Sequence, residues 1–416
     1  MAMTYREAVD YIHSLLAFGI KPGLSRISAL LEMLGNPQND LRFVHIAGTN
    51  GKGSTSTMLS CILKDAGYKT GLFTSPYVFS FCERIQINNQ NISEEHLAAV
   101  TERVKAAIEV LNGQNIVPTE FEAITAAALL YFKEQKCDYA VLEVGLGGRY
   151  DSTNVIPSPE VCVITSVSLD HTQILGDTVA QIAAEKAGIL KEGSICVTTS
   201  AQDKEALAVL QKTAAQTHCK LIIAPLDSAE ILSETLQETV FSYGGETYCL
   251  PLVGRHQVEN AVGVIEAAKC LPQITTQNIK NGIQNTVMRG RMEYRNGTPP
   301  MLLDGGHNPE CGAALAAVLR QFAPENITAL VGLMADKDCE TYLQTVLPLC
   351  KTAVFTKPDN PRAASPEVLL RAVSDLPLQT FTEDNPQNAL RLAREQTEAD
   401  GLLLVCGSFY LLSDLF

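Results

Sequence analysis

The stretch RFVHIAGTNGKGS, residues 42–54, decides how the rest of the chain is read. Arg42–Ala47 is a short apolar run, predicted to be a buried strand, and a helix is predicted from Lys52 to about Ala66. Between them lies Gly48-Thr49-Asn50-Gly51-Lys52-Gly53-Ser54. Glycines there let successive backbone N–H groups turn inward around phosphate oxygens, and the following helix N-terminus adds partial positive charge. Lys52 supplies a full charge for β- and γ-phosphates, and the Ser54 hydroxyl is placed to face Mg²⁺. The spacing departs from G-x-x-x-x-G-K-[ST]: position 46 is Ile, and Gly53 separates Lys52 from Ser54. A glycine-rich turn capping a helix is the plainer alternative. A lysine in this place after a strand favours binding of ATP with Mg²⁺.

Working outward, strand-like runs alternate with helical ones: Lys69–Phe73, Asp138–Val144 and Val161–Val167 read as strands. Thr178–Leu190 reads as a helix opened by a Thr178/Gln181 capping box. A second series runs from the strand Met301–Asp304 through helix Pro309–Gln321, strand Ile327–Leu333 and helix Cys339–Leu347. The strands Thr352–Thr356 and Leu402–Cys406 continue it. The expected fold class is α/β: a P-loop-type, mostly parallel sheet domain over residues 1–292, with a second, smaller α/β domain over 301–416. Glu293–Pro300 (EYRNGTPP) is the expected linker, because Pro and Gly break both helix and strand.

Composition bounds the function. Lys and Arg number 32 against 46 Asp and Glu, a net charge of −14, so a general nucleic-acid or anionic-membrane surface is not expected. No run approaches the roughly 20 apolar residues of a membrane span. Residues 1–20 carry Glu7 and Asp10, and no basic segment precedes an apolar core. They read as an amphipathic helix rather than a signal peptide, and the chain is expected in the cytoplasm. None of the 12 cysteines falls in a C-x-x-C pair, and Cys61, Cys162, Cys196, Cys270 and Cys406 read as reduced packing residues.

Three further segments place polar groups where ligands of open parallel sheets collect, at strand carboxyl ends. Glu143 ends one strand and suits Mg²⁺. The Gly145–Gly148 cluster after it lacks G-x-G-x-x-G spacing and runs into a turn, Asp151-Ser152-Thr153-Asn154, which excludes a dinucleotide fingerprint. Asp170-His171 follows Val161–Val167, and Asp304-Gly305-Gly306-His307-Asn308-Pro309 joins a strand to a helix beside the linker. Lys186, near a helix C-terminus, is equally explained by dipole complementation, and His171 by a structural role.

Together these segments resemble the folylpolyglutamate synthase/dihydrofolate synthase family, relatives of the bacterial Mur ligases. The resemblance is carried by Ala47–Ser54 (AGTNGKGS), Thr74-Ser75-Pro76 with Glu83-Arg84-Ile85, and Glu143–Arg149 (EVGLGGR). It continues through Asp151–Asn154 (DSTN), Leu169-Asp170-His171, Glu185–Ile189 (EKAGI), Asp304–Pro309 (DGGHNP) and Cys406–Tyr410 (CGSFY). It implies a ligase that adds L-glutamate to a reduced folate, with or without dihydropteroate as a second acceptor, through an acyl phosphate. It implies ATP on Gly48–Ser54, with Asn260, Arg291 and Asp304 holding the nucleotide from the domain junction. Ser54, Ser75 and Glu143 would bind one Mg²⁺, and His171 with Lys186 a second, Lys186 carrying a CO₂-derived carbamate. Thr119, Phe121, Tyr150, Asp151 and Ser152 match the region where the pterin lies. His307 would touch the phosphoryl group or the amine. The chain departs from the family at Tyr77, where several bifunctional members have His, and at Gly306, where Ala is usual; the second change is expected to be harmless. Small-molecule substrates and a monomer are expected. A cell-wall Mur ligase is expected to carry an N-terminal UDP-binding domain, for which the residues before Gly48 leave no room. A P-loop kinase or regulatory ATPase would need no second domain bearing Asp304 and His307.

Overall fold

In the computed structural model, which describes residues 3–19, 22–322 and 325–416, the run Arg42–Ala47 is strand β1 at the middle of a sheet. The other strands of that sheet are β2 (Thr70–Phe73), β3 (Ile85–Ile87), β4 (Gln90–Asn91), β5 (Tyr139–Glu143), β6 (Val161–Ile164), β7 (Ile195–Thr199) and β8 (Lys220–Ala224). The order is β4-β3-β2-β5-β1-β6-β7-β8, antiparallel only at β2–β3 and β3–β4. Val44, Ile46 and Ala47 are fully buried and Phe43 nearly so, because helices cover both faces. The chain leaves β1 towards β2 on one side, and β6 lies on the other. The carboxyl end of β1 is therefore the switch point where a crevice opens.

The N-terminal helix is shorter than expected: it spans Tyr5–Ser14, started by a Thr4/Glu7 capping box, and a 3₁₀ turn Leu15–Phe18 follows. Met1, Ala2 and Ile20 of the expected helix lie outside the described residues. The Thr178/Gln181 box is present, but the α-helix ends at Lys186 and a 3₁₀ turn, Ala187–Ile189, completes it. An antiparallel meander follows the main sheet: β9 (Glu230–Glu234), β10 (Thr239–Tyr243) and β11 (Glu246–Leu250).

The second sheet has the order β12-β13-β17-β14-β15-β16. Its strands are β12 (Glu293–Arg295), β13 (Met301–Asp304), β14 (Ile327–Val331), β15 (Thr352–Phe355), β16 (Gln379–Thr382) and β17 (Leu402–Cys406). The expected linker is thus corrected. Glu293–Arg295 pairs antiparallel with β13, and only residues 296–300 form the connecting turn. Tyr294 and Arg295 can pair because the Gly and Pro residues of the segment all lie beyond them. All 12 cysteines are free, eight of them buried; Cys270, expected in the core, is only partly covered. No helix among the described residues is long and apolar enough to cross a membrane.

One buried polar chain braces the β1 end of the site. His45 shares a 2.8 Å hydrogen bond with Thr153 through Nε2, and the Thr153 hydroxyl donates to Asp151 at 2.5 Å. Asp151 in turn accepts from the Leu146 N–H. Since Thr153 donates to Asp151, His45 Nε2 is the donor to it, and Nδ1 has no partner. Burial, with Lys191 adding to it, pushes the imidazole from its ordinary 6.5 down to about 3. The unfolded chain therefore binds a proton here below pH 6.5 that the folded chain refuses until about pH 3. Stability is full above 6.5 and is lost on acidification, by about 2 kcal/mol at pH 5 from this group alone. Thermal melts between pH 7.5 and 5 check this. His45→Asn should lose less Tm over that interval than the parent; an unchanged acid slope would show that His45 does not titrate this way.

Candidate active site

The loop between β1 and helix Lys52–Asp65 is held in place by close contacts on both sides. Gly51 opens the helix in the left-handed region, φ 84°. A Cβ there would lie 2.3 Å from Asn260 Oδ1, so both conformation and space require glycine. At Gly48 a Cβ would meet Thr165 Oγ1. The Thr49 N–H donates to Ser166 O at 2.7 Å and its hydroxyl to Ser168 O at 3.1 Å, tying the loop to the segment after β6. Lys52 folds back over the loop, with Nζ donating to Gly48 O at 3.1 Å and Thr49 O at 2.9 Å. Burial lowers its pKa and the charge of Glu143 works against that shift.

Glu143, the last residue of β5, is 4% exposed and accepts one hydrogen bond, from the Ser75 N–H at 3.0 Å. Burial raises its pKa against the opposing pull of Lys52. Among the described residues it has no ion-pair partner within salt-bridge distance, so its negative charge is poorly compensated. Ser75 and Glu143 share a cleft of about 540 Å³ with Gly53 and Arg291. Among the described residues no three His, Cys, Asp or Glu side chains form a ready-made metal cluster. Mg²⁺ does not need one, since it commonly takes one or two protein oxygens together with phosphates and water. Ser75 with an under-compensated buried carboxylate fits that requirement, and Ser54 lines the adjoining cavity.

Residues of the domain junction reach the same loop. Asn260, Arg291 and Asp304 line one cavity of about 100 Å³ with Asn50, Gly51 and Ser54. Asp304 is turned largely to structural use, accepting from Met292 N at 3.0 Å and Gly306 N at 2.9 Å. Arg291 lies 4.3 Å from the centre of the Phe409 ring. His307 donates from Nδ1 to Gly305 O (3.2 Å), since a carbonyl only accepts; burial lowers its pKa to about 4, so the ring is neutral and Nε2 is a free acceptor. Gly306 is tightly held: an alanine Cβ would sit 2.5 Å from Asp304 Oδ1 and 2.7 Å from Cys311 Cβ. In this chain Cys311 fills the room that an alanine at position 306 would need.

Lys186 and His171 meet Gly48, Lys52 and Asp170 around a small cavity of about 30 Å³. Lys186 is 4% exposed, and its Nζ donates to Gly48 O at 2.7 Å. Burial, then the neighbouring charge of Lys52, lowers its pKa to about 7. The His171 side chain is 43% exposed, with Nε2 3.8 Å from Asp170.

The residues expected around the pterin are not gathered on either cleft. Thr119 caps helix Glu120–Glu134 in a box with Glu122, and Asp151 caps the turn Ser152–Val155. Phe121 packs against Gly145 and lies 5.8 Å from the Phe73 ring, Ser152 is buried, and Tyr150 is 53% exposed. The sequence reading missed the ties between domains. Asn50 donates to Glu310 at 2.7 Å and accepts from Asn308 at 3.1 Å; Ser168 also donates to Glu310. Lys337 pairs with Asp170 at 3.4 Å. Glu310 stands in the first turn after the DGGHNP segment, but nothing in its spacing gives it a partner 260 residues away.

A phosphate-type loop at the switch point, a buried carboxylate beside it and a second α/β domain closing over both define an ATP-dependent ligase. The Mur ligase middle domain matches residues 46–268, and the Mur ligase glutamate ligase domain matches residues 290–409. A dihydrofolate synthase/folylpolyglutamate synthase of Bacillus subtilis is 37% identical, over 100% of this chain and 99% of its own. A folylpolyglutamate synthase of Lacticaseibacillus casei is 36% identical, over 99% and 97%. The structure of a Mycobacterium tuberculosis folylpolyglutamate synthase complexed with ADP and AMPPCP superposes with a TM-score of 0.89 at 29% identity, over 99% and 98% of the two chains. The chain belongs to the folylpolyglutamate synthase/dihydrofolate synthase family of Mur ligases.

Proposed function

We propose that this chain is a folylpolyglutamate synthase that joins L-glutamate to the terminal carboxylate of a reduced folate, with dihydropteroate as a possible second acceptor. It would act as a cytoplasmic monomer with its domains divided at residue 293. The observation that carries the reading is the meeting of Gly48–Ser54 and Glu143 with Arg291 and Asp304 of the domain junction. An ATP-only switch has no need of that arrangement.

In the proposed reaction an oxygen of the acceptor carboxylate attacks the γ-phosphorus of ATP, the bond to the β-bridging oxygen breaks, and ADP leaves an acyl phosphate. The amino nitrogen of glutamate then attacks the acyl carbon. Phosphate departs, and the nitrogen loses a proton. Lys52 swings from its loop carbonyls to the phosphoryl oxygens, where charge gathers in the transition state. His307, neutral, is suited to orient the amine by accepting a hydrogen bond at Nε2, while the departing phosphate takes up the proton. Ser54, Ser75 and Glu143 would hold one Mg²⁺, and His171 with carbamylated Lys186 a second; the ions supply neutralisation of phosphate charge. A Lys186 pKa of about 7 supports the carbamate, because only the neutral amine adds CO₂. The ties of Asn50 and Asp170 to the second domain would keep water from the acyl phosphate.

The test is ADP release with ATP, Mg²⁺ and L-glutamate, in parallel with tetrahydrofolate, dihydropteroate or neither. Release that requires both glutamate and a pterin, with a product one glutamate heavier, is expected. Release indifferent to both would leave an ATPase and remove the ligase.

A further inference from the structure

The larger cleft extends well beyond the groups that the reaction uses. Helix Lys52–Asp65 floors it with Gly53, Thr57 and Lys64, residues spaced so that they share one stripe of the helix. Eleven residues at about 1.5 Å each make a groove roughly 16 Å long. Its inner end is at Ser75 and Glu143; its outer end is at Lys64 and Asn91, with Arg289 and Asn285 along the wall.

The charges along this groove are unusual for a chain of net charge −14. Lys64 is exposed and, among the described residues, forms no ion pair or hydrogen bond. Its neighbour Asp65 faces elsewhere, accepting from Asn278 and Asn281. Arg289 is 58% exposed and only loosely paired, 3.7 Å from Glu293. Glu83, an acid in the wall, has its carboxylate oxygens turned to the backbone N–H groups of Val78, Phe79 and Ser80. The side-chain amides of Asn91 and Asn285 have no partner among the described residues. Cations and unpartnered amides thus line the outer groove, the set that a flexible polycarboxylate needs. Among the described residues the aromatic side chains on the walls are Phe79, with Arg289 and Arg295 near its ring, and Phe409, with Arg291 near its ring, so cations already compete for the stacking positions a flat heterocycle would use.

We infer that this groove binds the γ-glutamyl tail of the acceptor, with Lys64 and Arg289 reading its α-carboxylates as specificity-determining residues. An extended γ-glutamyl unit spans roughly 6 Å by ordinary bond lengths, so the groove takes two or more units. Its inner end then presents the terminal carboxylate at Ser75 and Glu143. This rests on the proposed ligase activity. It separates from that activity because a monoglutamate acceptor brings one α-carboxylate and a tetraglutamate four, so only the longer tail can engage both cations.

The experiment compares parent enzyme with Lys64→Gln, Arg289→Gln and the double variant, measuring KM for tetrahydrofolate carrying one and four glutamates, and KM for ATP. Expected is a rise of about tenfold in KM for the tetraglutamate in the double variant, against less than twofold for the monoglutamate and for ATP. Direct binding of fluorescent γ-linked tetraglutamate, without ATP, should weaken in parallel and lose its salt dependence. An equal rise for both tail lengths, or tetraglutamate binding unchanged in the double variant, would overturn the assignment. Absence of glutamate-dependent turnover in the parent enzyme would instead strike the proposed function, and the binding measurement would still decide the groove.

Discussion

Lys52→Met should reduce glutamate-dependent ADP release by roughly 10³-fold while leaving the protein folded, the size of loss seen when a charged group that stabilises a phosphoryl-transfer transition state is removed. The reason lies in where the ammonium is now held. It is buried, bonded to two loop carbonyls, and its charge is opposed chiefly by Glu143. Methionine keeps the aliphatic stem and removes the charge. The helix is not undone, because Gly51 and the strand before it set its start. Glu143 loses its main counter-charge, so its pKa should move further up, and metal affinity should fall with activity. ADP release and a thermal melt settle the matter. Near-parental turnover with a normal Tm would remove Lys52 from the mechanism.

The parts of this site that were legible in the sequence are those made by local rules. A strand, a glycine-rich turn and a helix occupy neighbouring residues, so the loop Gly48–Ser54 and the strand-end position of Glu143 follow from composition and periodicity. The capping box at Thr178 is likewise a four-residue signal. What failed was long-range or competing. The meander β9–β11 went unread, although Gly244-Gly245, both with positive φ, join two strands of alternating pattern (Thr239–Tyr243, Glu246–Leu250), which is a hairpin signal. Strand β12 was hidden because Pro and Gly beyond its far end outweighed the three residues that pair. The contacts of Asn50 with Glu310 and of Asp170 with Lys337 join elements from different domains, and no spacing rule reaches that far.

Thr119 and Asp151 are a different case. A polar residue next to a helix or turn start is first of all a cap, and both side chains are committed to backbone N–H groups. Resemblance brought them forward as ligand contacts; in this structure their hydrogen bonds are those of caps. Asp151 also holds the Leu146 N–H, and so shapes the Gly145–Gly148 turn that borders the Lys186 cavity.

That cavity carries the other large expected effect. Lys186→Ala should lower turnover by roughly 10²-fold or more, and millimolar formate or acetate should restore part of it, because a small carboxylate can replace the anion that a carbamate would provide. As an ammonium, Lys186 brings a second positive charge beside Lys52, and that repulsion adds to the burial which lowers its pKa to about 7 from an ordinary 10.5. Near neutrality about half of it is therefore the free amine. Its nitrogen can add to the carbon of CO₂, releasing one proton and leaving an anion where two cations met. Carbamate occupancy should fall as pH drops below 7, where the amine is protonated, and rise with added bicarbonate. A ¹³C-bicarbonate NMR experiment on the parent enzyme with Mg²⁺ and ATP should give a carbamate signal that the variant lacks. The competing role is a tether: Nζ holds Gly48 O at 2.7 Å, and losing that bond alone would slacken the phosphate loop. A tether predicts a raised KM for ATP, no ¹³C signal and no response to formate. That pattern would remove the carbamate and leave Lys186 as a positioning residue.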